Sequence, residues 1–124
     1  LWARRVLGGS GSPWQSAADA LRTMEADFPF EEINLVLDEG NRERCRGSGY
    51  VVDCLWSARV AVDTTDSYED CVRRAILFGH DTDTTAAVAG GIAGLMYGRD
   101  GIPSRWRAAL RGQDQLLPLL HAIA

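Results

Sequence analysis

The stretch 86–98 constrains the fold of this chain more than any other part of its sequence. Glycine recurs there at every fourth position, as Gly90, Gly94 and Gly98, with alanines between them. An interior glycine costs a helix about 1 kcal/mol relative to alanine, so a helix with this spacing needs a compensating interaction. Close approach of a neighbouring helix can supply it, because residues four apart lie on one face. We therefore predict a buried central helix over 83–97 that its neighbours contact closely and that ends at Gly98.

Helical spacing also dominates the rest of the chain. Apolar residues at positions 30, 33, 36 and 37, and again at 51, 55, 58 and 62, lie on one helical face. Asp66 or Ser67 can cap a further helix that has acidic residues in its first turn. No segment of useful length alternates apolar and polar residues as a strand would. The predicted class is all-α, with helices over 14–24, 30–37, 50–62, 67–78 and 83–97 and shorter ones after Pro103 and near Pro118.

Size and charge limit the domain count and the kind of partner. The 124 residues suffice for one domain but not for two, and the Gly/Ser-rich segment 8–13 is linker-like. A net charge of −4 argues against nucleic acid as the main partner, because phosphate binding needs a concentrated basic surface. No run reaches the roughly 18 apolar residues of a membrane span, so no membrane partner is predicted.

The cysteines indicate the compartment. The three of them, Cys45, Cys54 and Cys71, form no Cys-x-x-Cys pair and are odd in number. A disulfide framework or structural zinc site is therefore not expected. This usage favours a reducing, cytoplasmic location.

The run Gly79-His80-Asp81-Thr82-Asp83-Thr84 is the segment most suited to chemistry. Asp83 or Thr84 could simply cap the central helix, since a helix N-terminus has unpaired N–H groups. Capping explains less well why two aspartates lie two residues apart, because close carboxylates repel unless a cation lies between them. Mg²⁺ and Mn²⁺ prefer carboxylate and hydroxyl oxygens. Asp81 and Asp83 can converge on a cation only if Asp81 lies in the turn ahead of the helix, a turn that Gly79 would allow.

Several motifs in order resemble the C-terminal signature of the ADP-ribosylglycohydrolase family. This family includes dinitrogenase reductase-activating glycohydrolases and ADP-ribosyl-acceptor hydrolases, and the resemblance is good over residues 47–112 but loose over 14–46. The segments that carry it are Gly79–Thr84, Ala87, Ala89-Gly90, Ala93-Gly94, Tyr97-Gly98, Gly101-Ile102-Pro103, Trp106, Gly47–Val52 and Thr65–Val72.

The resemblance implies an all-helical fold with a binuclear Mg²⁺ or Mn²⁺ centre. Proteins like this cleave the glycosidic bond between ADP-ribose and a modified protein side chain, or a related ADP-ribose conjugate. By analogy Asp81, Asp83 and Thr84 would be metal ligands, and the two aspartates would serve in catalysis.

The same resemblance assigns substrate contacts to Gly47, Ser48, Gly49 and Tyr50. Small residues let a backbone approach a ligand, and the following helix N-terminus attracts an anion such as a diphosphate. A plain loop between helices remains the alternative. Tyr50 would either stack on a ring of the substrate or lie in the core.

Two departures from the family pattern bear on function. His80 stands where the family usually has glycine. It could narrow the cleft, contact substrate or act in proton transfer, or it is a tolerated surface substitution. The family's second acidic cluster, a Thr-Asp-Asp run from an N-terminal part, is not found in this sequence. We therefore expect 1–124 to form a single incomplete domain that supplies half of the binuclear site. The N-terminal part or another copy of the chain would then be a partner.

Three functions follow as hypotheses. The first is a metal-dependent hydrolase that removes ADP-ribose from proteins. The second is a non-catalytic module that binds ADP-ribose or a partner protein, and the third is a structural relative of the crystallin type.

Overall fold

The computed structural model describes residues 1–24 and 29–123 and contains helices and no strands within them. The predicted all-α class is confirmed. The helices in chain order are α1 (Trp2–Leu7), α2 (Pro13–Arg22), α3 (Phe30–Leu37), α4 (Asn41–Arg44), α5 (Val51–Asp63), α6 (Tyr68–Ile76), α7 (Thr82–Gly101), α8 (Ser104–Ala109) and α9 (Gln113–Ile123). No helix of this part of the chain combines the length and apolar character needed to cross a membrane.

Local sequence signals account for most of the helix boundaries. Helix α3 has the bounds predicted from its apolar spacing, and α5 begins and ends one residue later than predicted. Ser67 caps α6, because its hydroxyl accepts a hydrogen bond from the Asp70 N–H at 3.1 Å. Gly98 adopts the left-handed conformation, with φ of 68°, and breaks α7 before its last turn. The helix was predicted to end at Gly98, and the regular helix does end there. A kink at this residue separates it from one further turn.

Helix α7 packs against α5 and α6 through small side chains. The buried cluster between these helices consists of Ala58, Ala61, Cys71, Ala75, Ala89 and Ala93. A Cβ atom at Gly90 would lie 3.3 Å from the Tyr68 hydroxyl and 3.4 Å from Val72 Cγ2. The predicted close approach of a neighbouring helix is thus present on this face of α7. The atoms closest to Gly90 belong to side chains of α6.

The opposite face of α7 is open, which corrects the prediction of a wholly buried helix. Ala87, Val88, Gly91 and Leu95 are exposed, and a Cβ atom at Gly91 would meet nothing within 4 Å. These residues border an apolar groove of about 620 Å³ whose other walls come from α1, α2, α3 and α5. The spacing of small residues correctly predicted close contact between α7 and a neighbouring helix. It could not specify that only one face of α7 makes such a contact.

Tryptophans connect the first helices to α5. Trp56 is fully buried and its indole N–H donates to the Val36 carbonyl at 2.8 Å. The Trp14 ring lies edge-on to Trp2 and to Trp56, at 5.2 and 5.3 Å between centroids. The linker-like segment 8–13 therefore joins two helices, α1 and α2, that contact each other through aromatic rings. Helix α1 was not predicted, and the assignment of 1–124 to one incomplete domain stays a prediction.

Candidate functional site

The carboxylate turn, residues 81–84, lies at the N-terminus of α7. Asp81 is the N-cap of this helix, and its Oδ1 accepts a hydrogen bond from the Thr84 N–H at 3.3 Å. Asp83 and Thr84 lie in the first helical turn and are exposed to solvent. Asp81 therefore occupies the position ahead of the helix that convergence with Asp83 requires.

Hydrogen bonds within this turn favour the ionised form of Asp81. Hydrogen bonding from the Thr84 side chain, with a further contribution from the Thr84 N–H, lowers the pKa of Asp81 below its usual value of 3.8. These bonds outweigh the smaller opposing effect of burial. At neutral pH the turn consequently presents at least one carboxylate and a hydroxyl at an exposed helix N-terminus, where the helix dipole also favours negative charge.

Two successive residues in the left-handed conformation bring the chain into the carboxylate turn. Gly79 has φ of 76° and His80 has φ of 54°, and His80 alone among non-glycine residues of the described chain has positive φ. A side chain in this conformation costs roughly 1–2 kcal/mol, whereas glycine adopts it freely. The backbone therefore explains why glycine suits position 80. His80 itself is exposed next to Asp81.

The loop 47–50, which precedes α5, lies directly against the carboxylate turn. The Asp81 N–H donates to the Gly47 carbonyl at 2.9 Å, and the buried Thr85 hydroxyl donates to the same oxygen at 3.4 Å. A Cβ atom at Gly49 would lie only 2.5 Å from Asp81 Oδ2. Gly47 has φ of 74°, and a Cβ there would lie 2.6 Å from Phe78 Cβ. Two segments more than thirty residues apart in sequence thus meet, as a shared site requires.

The side chains of this loop differ in exposure. Ser48 is half-buried, whereas Tyr50 is 58% exposed at the N-cap of α5. The alternative that Tyr50 belongs to the core is therefore wrong, and its ring is open to solvent.

Two residues of α5 that sequence reasoning missed hold this loop in place. Asp53 accepts hydrogen bonds from the N–H groups of Arg46 and Ser48, and Ser57 accepts one from Gly47. Burial alone would raise the pKa of Asp53, but the bonds from Ser48 and Arg46 lower it below its usual value. An acidic residue at the third position of a helix often bonds to backbone ahead of it, and that signal could have identified Asp53.

The donor atoms of the carboxylate turn suit a hard divalent cation in type but not in number. Asp81, Asp83 and Thr84 offer carboxylate and hydroxyl oxygens, which Mg²⁺ and Mn²⁺ prefer. Across residues 1–24 and 29–123, no group of three or more His, Cys, Asp or Glu side chains could hold a metal ion. The turn therefore fits such a cation as one part of a ligand set.

The sequence profile of the family described as ADP-ribosylglycohydrolase matches residues 2–124. This chain belongs to the ADP-ribosylglycohydrolase family. The family membership that the ordered motifs indicated is thus confirmed. The matched residues include α1 and the whole of α9.

Several named proteins are similar to parts of the chain. The ADP-ribosylarginine hydrolase Tri1 of Serratia proteamaculans is 41% identical over 85 residues, which make up 68% of this chain and 23% of that protein. The ADP-ribosyl-dinitrogen-reductase glycohydrolase of Rhodospirillum rubrum is 32% identical over 106 residues, or 85% of this chain and 33% of that protein. Human ADP-ribosylhydrolase ARH3 is 44% identical over 52 residues, or 40% and 14% respectively.

These matches cover a minor part of each relative. The chain spans a quarter to a third of the length of the two relatives that it matches over most of its own residues. No solved structure gives a significant match.

Proposed function

We propose that this chain forms one side of an active site that hydrolyses the bond between ADP-ribose and a modified protein side chain, or a related conjugate. The hydrogen bond from the Asp81 N–H to the Gly47 carbonyl, 2.9 Å long, is the observation that carries the proposal. It joins the two segments that a hydrolase of this family would need in one cleft. The names of the relatives, which include an ADP-ribosylarginine hydrolase and a glycohydrolase acting on ADP-ribosyl-dinitrogen reductase, support the reaction class.

Asp81, Asp83 and Thr84 would bind Mg²⁺ or Mn²⁺ as half of a binuclear centre. The lowered pKa of Asp81 supports this role, since a carboxylate must be ionised to bind a cation. Such an ion, when bound, supplies positive charge that stabilises developing negative charge and makes bound water more acidic. The protein contributes a rigid turn, because Asp81 is fixed through its backbone N–H and its side chain.

The loop 47–50 and His80 would contact the ADP-ribose portion. Gly47 and Gly49 let the loop lie close to Phe78 and Asp81, Ser48 offers a hydroxyl, and the exposed ring of Tyr50 can stack on a planar group. His80 lies next to the turn and is open to solvent. In the reaction, the oxygen of water bonds to the ribose anomeric carbon while the bond to the side chain breaks. The water loses a proton, and the released side chain takes up a proton.

We also propose that the apolar groove beside α7 is covered by the part of the family fold that lies beyond the matched residues. The share of each relative that this chain matches, 23% and 33%, supports that occupant over others. Exposed Val88 and Leu95 line the groove on α7, and burying such side chains contributes about 25 cal/mol per Å². Sedimentation analysis of the 124-residue chain checks this assignment. A concentration-dependent dimer that Leu95→Glu abolishes would instead assign the groove to a second copy.

A non-catalytic module that binds ADP-ribose or a partner protein is the second candidate function. The donor count favours it, since the described residues hold no group of three or more acidic, histidine or cysteine side chains around one point. A crystallin-type structural role has no comparable observation in its favour.

The three cysteines are buried and free, which supports the proposed cytoplasmic location.

Calorimetric titration of the chain with Mn²⁺, with and without ADP-ribose, tests the proposal. Because the turn supplies only part of a ligand set, we expect weak Mn²⁺ binding that Asp83→Ala abolishes and that ADP-ribose strengthens. Asp100→Ala is the matched control, because Asp100 is a highly exposed acidic residue at the far end of α7. ADP-ribose binding without any Mn²⁺ binding would support the non-catalytic module instead. Release of ADP-ribose from an ADP-ribosylarginine peptide then tests the reaction itself.

A further inference from the structure

Three consecutive backbone N–H groups ahead of α5 are bound by side chains from that helix. The Arg46 N–H donates to Asp53 Oδ1 at 2.8 Å, and the Ser48 N–H donates to Asp53 Oδ2. Between them, the Gly47 N–H donates to the Ser57 hydroxyl at 2.9 Å in a buried position. Asp53 and Ser57 lie four residues apart on α5 and therefore on one face. This face fixes the orientation of every peptide N–H from 46 to 48.

Fixing these groups also fixes the Gly47 carbonyl. This oxygen accepts the Asp81 N–H at 2.9 Å and the Thr85 hydroxyl at 3.4 Å, so it connects the loop to the first turn of α7. The Gly47 backbone is buried, and an unpaired polar group there would carry a desolvation cost. The Asp53 carboxylate on α5 is thus connected to the Asp81 backbone through the loop.

We infer that Asp53 is a positioning residue for the proposed hydrolysis. It acts by holding the loop 46–48 so that Gly47 and Gly49 keep the Asp81 backbone and carboxylate in one geometry. The inference rests on the proposed function, because Asp53 influences chemistry only if the carboxylate turn carries it.

The environment of Asp53 separates this role from catalysis and from ordinary helix capping. Each of its two oxygens accepts a backbone N–H, and the side chain is half-buried, so it has little capacity to contact a substrate. Its bonds go to Arg46 and Ser48, which precede the N-cap residue Tyr50. The carboxylate is thus committed to the loop, and it is connected to Asp81 through the Gly47 peptide.

Amide hydrogen exchange followed by NMR on the 124-residue chain tests the inference in Asp53→Asn. The substitution keeps the size of the side chain but replaces one accepting oxygen by an N–H donor. Hydrogen bonds to charged groups are among the stronger ones, so we expect exchange at Arg46 and Ser48 to accelerate by about tenfold or more. We expect a similar acceleration at Asp81, with exchange at Ala61 in the core unchanged. Asp63→Asn, at the other end of α5, is the matched control and should leave Asp81 unaffected.

The outcomes distinguish this inference from the proposed function. If Arg46 and Ser48 exchange faster while Asp81 does not, Asp53 holds only its own loop and the inference is wrong. Equal acceleration at Ala61 would also overturn it, because that indicates general destabilisation. Should Asp53→Asn not fold, Asp53→Glu, which keeps the charge, must show the same selective acceleration to a smaller degree. Mn²⁺ broadening of the Thr84 amide signal in the unmodified chain tests the proposed function separately.

Discussion

The two long faces of α7 have similar residues but opposite surroundings. On the closed face, Ala89 and Ala93 are fully buried against α5 and α6. On the open face, Ala87 and Gly91 border the groove and are exposed. Small residues therefore mark a helix that can be approached closely from both sides, and the described chain packs tightly on the side of Ala89 and Ala93. The comparison supports the proposal that the open face receives a further part of the family fold.

The difference between the two faces of α7 also affects how the carboxylate turn is held in place. The closed face is continuous with the carboxylate turn, since Thr85 is fully buried and its hydroxyl bonds to the loop before α5. Asp83 and Thr84 are instead exposed. One side of the turn is thus held in place by buried contacts, while the side chains proposed to bind metal are exposed to solvent.

The largest expected effect comes from adding volume to each face in turn. Ala89→Leu should destabilise the chain by about 1–3 kcal/mol, because the closed face has no space for three more carbons. Ala87→Leu is the matched variant on the open face and should change stability by less than about 0.5 kcal/mol. Urea denaturation followed by circular dichroism measures both. Equal losses would mean that the two faces are not different in packing.

The elements that sequence predicted well depend on local interactions. The apolar spacing of α3 and α5, the cap at Ser67 and the break at Gly98 each involve residues only a few positions apart. The place of Asp81 ahead of α7 was predicted for the same reason, since the argument needed only the helix geometry and Gly79.

The elements that sequence missed depend on residues far apart in the chain. Helix α1 has only six residues, which is too short to be stable alone, and Trp2 packs on Trp14 of the next helix. The role of Asp53 could not be predicted because it requires that the loop at Gly47 meet Asp81, a contact that no local pattern specifies. Which face of α7 is open depends on the positions of whole helices.

A smaller effect should follow from placing a methyl group at two adjacent glycines of α7. Gly91→Ala should stabilise the chain by up to about 1 kcal/mol, since a Cβ there meets nothing within 4 Å and alanine favours the helix. Gly90→Ala should gain less or lose stability, because its Cβ would lie 3.3 Å from the Tyr68 hydroxyl. Thermal unfolding of the two variants measures the difference. An equal gain at both positions would contradict tight packing on the closed face.

His80→Gly tests the strained entry to α7, where the two faces begin. A left-handed histidine costs roughly 1–2 kcal/mol, and the greater chain entropy of glycine offsets 0.5–1 kcal/mol of this. We therefore expect a net gain in stability of about 0.5 kcal/mol, measured by urea denaturation. His80→Ala keeps the strain and should bring no gain. A loss of ADP-ribose affinity in both variants, with stability as expected, would support the proposed substrate contact.

The smallest effect on stability is expected at the contact between α6 and α8, next to the closed face of α7. Tyr68 packs edge-on to Trp106 at 6.1 Å, and beside it Glu69 pairs with Arg105 and Arg73. Arg105 and then Arg73 lower the pKa of Glu69 below its usual value of 4.5, although partial burial opposes this.

A lowered pKa in the folded chain means that the pairing contributes to stability above about pH 4.5 and that this contribution is lost as pH falls through the folded-state value. Glu69→Gln should therefore be slightly less stable than the unmodified chain at pH 7, and the difference should shrink as pH falls below about 4.5. Exposed ion pairs contribute little and are screened by salt, so high salt at pH 7 should also reduce the difference. Urea midpoints across this pH range measure it. A difference that stays constant from pH 7 to pH 3 would mean that Glu69 acts through packing on the closed face and that its charge is not what joins α6 to α8.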